Sequence, residues 1–192
     1  MDRKSKINQK KREMHVRQLA ARNMDAPSLP PSIAEQLKEI APQNIRTGDK
    51  KTSVYPCSVT LNDGRVQQCT YLMSVLAAKR WWWIKTDSKH QIQVQNIVSI
   101  SPSPYRLQES LANKILEAGE TGMGYTSGVF QFKNGKTLPW VTTESMEFMG
   151  LPDEYSIHDI IDIKLHIKNE EGKELIRPKS YVVALFREEN IT

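Results

Sequence analysis

Long hydrophobic runs are absent from this chain of 192 residues. No window approaches 18 uninterrupted apolar residues, which excludes an ordinary transmembrane helix. The N-terminus is positively charged but has no apolar stretch behind it, so export by a signal peptide is not expected and a cytoplasmic location is. Cysteine is equally scarce: Cys57 and Cys69 are the only two, and no further thiol is available to build a zinc site. The four histidines, His15, His90, His158 and His166, stand far apart and fit no metal-ligand spacing. There is no Gly-x-Ser-x-Gly elbow, no His-Glu-x-x-His, and no cysteine beside an obvious base. These absences argue against catalysis, and no enzyme activity, metal or cofactor is expected.

What the chain does have is a strong asymmetry of charge. Residues 1–22 hold eight Lys or Arg against two acidic residues, whereas residues 23–192 hold 19 against 20. The net charge of +5 therefore belongs to an arm and not to the body. Such an arm points to a polyanionic partner, with nucleic acid first. A membrane surface ranks last, because Ile7, Met14, Val16 and Leu19 do not gather into the broad apolar face that inserted helices use. We assign 1–24 as a basic arm, disordered or helical. A solubilising tail is the plainer reading of it.

Residues 25–53 read as a linker punctuated by Pro27, Pro30, Pro31 and Pro42. A short helix is predicted over 33–40, opened by a capping box in Ser32-Ile33-Ala34-Glu35. Its stripe of Ile33, Leu37 and Ile40 docks on the body or serves as a portable motif for a partner's groove.

The body carries one pattern twice. Val59–Val66, turning at Asp63-Gly64, and Phe130–Leu138, turning at Asn134-Gly135, are both hairpins, since these turn residues tolerate positive φ. Each is followed by a related string, Val94–Ile100 and Ile157–Ile163, in which a polar pair briefly breaks the apolar alternation. A single turn of 3₁₀ helix between strands has that signature. By pattern this is SH3-like. The predicted fold is β-rich α+β: two related, partly open barrel units joined by one helix. The first unit spans 54–104, the connecting helix 105–120 and the second unit 121–192. Within the helix, Glu109–Ala118 is the best-defined stretch, with Leu107, Leu111, Ile115 and Ala118 on one stripe and Gly119 as its stop. A final strand over 179–186 is expected to pair within the sheet.

A two-residue turn at Asp63-Gly64 would place Cys57, Val59, Leu61, Val66 and Leu72 on one face. Ser58, Thr60, Arg65, Gln67, Cys69 and Tyr71 would then lie on the other. That register separates the sulfurs, and two free thiols are expected. A three-residue loop would put the cysteines opposite one another and mix the faces.

Three places are candidates for recognition. In the arm, Lys4, Lys6, Lys10, Lys11, Arg12 and Arg17 would neutralise phosphates. In the run Arg80-Trp81-Trp82-Trp83-Ile84-Lys85, a strand would turn Trp82 away from Trp81 and Trp83. Trp82 with Arg80 and Lys85 would then make a stacking platform for bases, or a hot spot for a protein. The alternative has Trp81 and Trp83 filling the core while Trp82 packs beneath the linker helix. The loop Gly119–Tyr125 offers Met123 and Tyr125 as partner contacts. It is not a phosphate cradle, because a helix C-terminus, Glu117 and Glu120 would all repel an anion.

These readings converge on a non-catalytic cytoplasmic protein that binds nucleic acid or a nucleoprotein through its arm and an aromatic surface. A protein–protein module (an adaptor, inhibitor or immunity-type partner) using the Trp cluster or the 119–125 loop is the alternative.

Overall fold

A computed structural model of the chain describes residues 26–47, 50–80, 88–122, 124–142, 147–165 and 175–187. The first half runs α1 (Pro31–Leu37), β1 (Gln43–Thr47), β2 (Lys50–Leu61), β3 (Val66–Ser74), α2 (Val75–Arg80), β4 (Gln91–Ile92) and β5 (Ile97–Ser101). It continues through α3 (Glu109–Ala118), β6 (Thr126–Phe132), β7 (Thr137–Thr142), β8 (Ile160–Leu165) and β9 (Val182–Phe186). Single 3₁₀ turns precede β4, β5 and β8, at Ser88–His90, Val94–Asn96 and Ile157–Asp159. The result is β-rich with few helices. Six strands form one sheet, in the order β1-β2-β3-β9-β4 with β5 also on β2, and β7-β6-β8 form another. Neither sheet closes into a barrel among the described residues.

The repeated pattern has a common geometry. In the first hairpin Leu61 N–H donates to Arg65 O, and in the second Phe132 N–H donates to Lys136 O. Both loops therefore hold three residues, closed by a glycine at φ +83° (Gly64) or +78° (Gly135). Asp63 and Asn134 stabilise their tips alike, each accepting from the backbone N–H two residues on, at 3.0 Å. The third strand then pairs with the first strand of the hairpin in one register. Leu61 lies opposite Ile97 as Phe132 lies opposite Ile160, and a bulge follows at once in both. The bulge leaves Val98 52% and Ile161 59% exposed. Each unit also places a helix ahead of its hairpin. From α1, Gln36 Oε1 accepts from Ile100 N–H at 2.8 Å. Just before α3, Gln108 Nε2 donates to Ile160 O at 3.4 Å. Each glutamine thus occupies part of the otherwise open edge of its third strand.

The three-residue loop corrects the expected turn. It pairs Thr60 with Val66, so Val66 faces outward and is 55% exposed instead of joining the core. The cysteines still lie on opposite faces, for another reason. A second irregularity moves the register from Val59–Gln67 to Cys57–Thr70, and one extra residue on β3 flips everything beyond it. Cys57 enters a core with Val59, Leu61, Leu72, Ile97 and the α1 stripe of Ile33, Leu37 and Ile40. Cys69 enters a separate core with Tyr71, Met73 and Phe148. The face expected to be polar at Cys69 and Tyr71 is therefore covered. Phe148 and Tyr181 pack on Tyr71 with ring centroids at 4.8 and 5.2 Å. Both thiols are free.

Two other expectations change. Helix α1 begins at Pro31 with Pro30 as N-cap and no side-chain cap, so Ser32 does not form the capping box. Proline at the first helical position starts the helix instead, since its fixed φ suits that site and its missing N–H is not needed there. The final strand lies within the stretch 121–192 expected for the second unit, yet β9 joins the first sheet, parallel to both β3 and β4. Helix α3, by contrast, covers the predicted residues and ends at Gly119, whose φ is +67°. Its Leu111, Ala112 and Ile115 pack with Phe130, Phe132, Trp140 and Ile163 in a third core over the small sheet.

Candidate functional site

The basic arm, with Lys4, Lys6, Lys10, Lys11, Arg12 and Arg17, lies outside the described residues, as do Trp82, Lys85 and Met123. What leads into the tryptophan run is described, and it is a helix. Ser74 Oγ accepts from Ala77 N–H at 3.1 Å, which converts the end of β3 into the N-terminus of α2. Ala77 and Ala78 are buried and Leu76 is exposed. Arg80, the first residue of the run, is the last residue of this helix, and the rest of the run lies outside the described residues.

Tyr125 is described, and hydrogen bonds brace the described residues around it. The N–H groups of Thr121 and Gly122 donate to Tyr125 O at 2.9 and 3.2 Å. Thr126 Oγ1 donates to Gly119 O at 2.8 Å, and Thr121 Oγ1 accepts from Ser127 N–H at 2.8 Å. The Tyr125 side chain lies on Gly122 so closely that a Cβ there would clash with Cζ at the hydroxyl end of the ring. Tyr125 remains 42% exposed. The loop's glycine-rich look has a structural reason, because Gly124 N–H already donates to the Glu120 carboxylate at 3.2 Å. A donor that an anion would need is occupied by the loop's own acid.

A polar cluster that sequence reasoning did not single out lies on the seam between the two sheets. Arg106 Nε donates to Glu147 Oε2 at 3.2 Å, and Arg106 Nη1 donates to Ala41 O. Gln43 Nε2 donates to Asn113 Oδ1 on α3. Glu147 is only 1% exposed, and Gln43 is buried as fully. Among the described residues, Arg106 Nη2, Glu147 Oε1 and Gln43 Oε1 are buried without hydrogen-bond partners. Burial pushes the Glu147 carboxyl up to about 8; Arg106 opposes the shift and Glu109 adds to it. Burial likewise pushes the thiols of Cys57 and Cys69 up to about 12 and about 11, against the pull of Arg106 and Lys179 respectively. These thiols are not activated nucleophiles. The cluster was hidden because its hydrogen bonds span 41, 65 and 70 residues, so no local motif announces it.

Among the described residues, no group of three or more His, Cys, Asp or Glu is placed to hold a metal ion. None of the described helices is long and apolar enough to cross a membrane. No family model matches the chain, and comparisons with curated proteins and with solved structures return no match either.

Proposed function

We propose that this chain is a non-catalytic binding protein of the cytoplasm that engages nucleic acid or a nucleoprotein through its basic arm. The observation that carries the reading is the partition of charge: eight basic against two acidic residues in 1–22, on a remainder with 19 against 20. A near-neutral body has no net long-range attraction for polyanions, whereas a dense cationic segment supplies one wherever it is attached. In this reading Lys4, Lys6, Lys10, Lys11, Arg12 and Arg17 neutralise phosphates, and Arg80, Trp82 and Lys85 add contacts from the body. Each hairpin, its 3₁₀ turn and its closing strand would be a reduced, open version of an SH3-like unit.

The test is binding of the full chain to a fluorescent single-stranded RNA across a salt series. If six phosphates are neutralised, the log–log slope is about −4, and a chain lacking 1–22 loses the affinity. Salt-independent binding, or no binding at low salt, overturns the proposal.

One observation favours a second reading, a protein–protein module. Tyr125 is a large exposed aromatic on a loop braced by its own hydrogen bonds. Such a preorganised aromatic loses little entropy on binding. A protein complex that survives loss of the arm but not Tyr125→Ala would decide for it.

A further inference from the structure

The seam cluster has a chemistry that neither reading uses. Arg106 joins two segments with one guanidinium: Nη1 reaches Ala41 O in the linker between α1 and β1, and Nε reaches Glu147 beyond β7. The backbone joins them too, since Leu107 N–H donates to Glu147 O at 2.8 Å and Arg106 forms a β-bridge with Phe148. Gln43, the first residue of β1, ties that strand to α3 through Asn113.

Arg106 and Glu147 make a pair with one arm. A full fork would use Nε and Nη2 against both carboxylate oxygens. Here Nη2 and Oε1, the atoms of the second arm, are both buried and have no hydrogen-bond partner among the described residues. A buried carboxylate held by one 3.2 Å bond is poorly compensated for the water it has lost. A neutral carboxylic acid at the same place keeps its acceptor oxygen on Arg106 and carries no charge to desolvate. The groups that bear on this balance are Arg106, which favours the anion, and Glu109 on α3, which disfavours it. Cys57 on β2, whose thiol feels the Arg106 charge, is pushed by burial to about 12 and stays neutral.

We propose that Glu147 is a proton-operated latch on the seam between the two sheets: the seam closes on the neutral acid, and ionisation of Glu147 loosens it. For a carboxyl whose affinity for protons is higher in the folded state, the sign is fixed by linkage. The stabilisation is complete below the unfolded value near 4.5 and is lost as pH rises towards 8.

The test measures denaturant unfolding of the full chain at pH 5 to 9, alongside Glu147→Gln, which keeps the shape and an acceptor for Arg106 but has no proton to lose. The native chain is expected to show an unfolding constant at least about a hundredfold larger at pH 9 than at pH 5. The variant should lose most of that dependence. An equal pH response in both proteins overturns the proposal. A second measurement holds even if the variant does not fold. With ¹³C on all glutamate carboxyls of the native chain, one resonance titrating above pH 7 supports the latch. Every glutamate titrating in the ordinary carboxylate range overturns it.

Discussion

The backbone N–H of Lys133 donates to the carbonyl of Asp159 at 2.9 Å, fastening a hairpin tip to the 3₁₀ turn that follows it 26 residues later. Asn62 makes the same bond to Asn96, at 2.8 Å, in the other unit. The side chains differ, and Lys133 and Asp159 add an exposed ion pair that the first unit lacks at these positions. What recurs is backbone: a three-residue loop, a glycine with positive φ, a 3₁₀ turn and a bulged closing strand.

If the shared backbone controls the hairpins, Gly64→Ala and Gly135→Ala should cost similar amounts in spite of their different neighbours. A Cβ at either position meets nothing within 4 Å, so the penalty is conformational alone. Each variant is expected to lose about 1 kcal/mol in denaturant unfolding.

Gly128 should behave differently. Its φ is not positive, but a Cβ there would overlap the carbonyl of Lys164 on the paired strand and press on the Trp140 ring. Backbone cannot swing aside as a side-chain tip can. Gly128→Ala is therefore expected to lose about 3 kcal/mol or fail to fold. A thermal melt beside that of Gly135→Ala would show the difference.

Both cysteines should resist reagents in the folded protein. Their thiols are pushed up to about 12 and about 11 by burial, so almost no thiolate exists at pH 8. An aromatic disulfide reagent should titrate no thiol in native protein and two in denaturant. A native reaction at either residue would mean that its strand opens readily.

The Lys114–Asp162 pair offers a contrasting dependence on acid. The Lys114 ammonium, at 2.7 Å, and the backbone N–H of Ile163 hold the Asp162 carboxyl below its usual range. The stabilisation is thus present above the unfolded value near 3.8 and lost as pH falls through the lower folded value. Both partners are largely solvated, so water and salt screen the pair. Asp162→Asn should change stability at pH 7 by less than about 1 kcal/mol, and by nothing measurable in 1 M salt.

Helix α3, its glycine stop, the two hairpins and their 3₁₀ turns were legible because each is specified within a few residues. Leu111 and Ile115 share a face by helical spacing, and Asp63-Gly64 or Asn134-Gly135 reverse the chain wherever they occur. Less of the candidate site was legible. The arm stands out through its charge, and Tyr125 through its place after a glycine-rich loop. Arg106, Glu147 and Gln43 gave no signal, being one arginine, one glutamate and one glutamine in unremarkable surroundings.

Local chemistry therefore decided where the chain turns, which faces of its helices are apolar, and how charge divides between arm and body. Tertiary structure decided the rest. It set the extra residue in β3 that sends Cys57 and Cys69 to opposite cores, the return of β9 to the first sheet, and the burial of Glu147 against Arg106. The reason is range. Turns and helical stripes are settled by neighbours a few bonds away, whereas strand register, sheet membership and the solvation of a carboxylate depend on segments that only folding brings together.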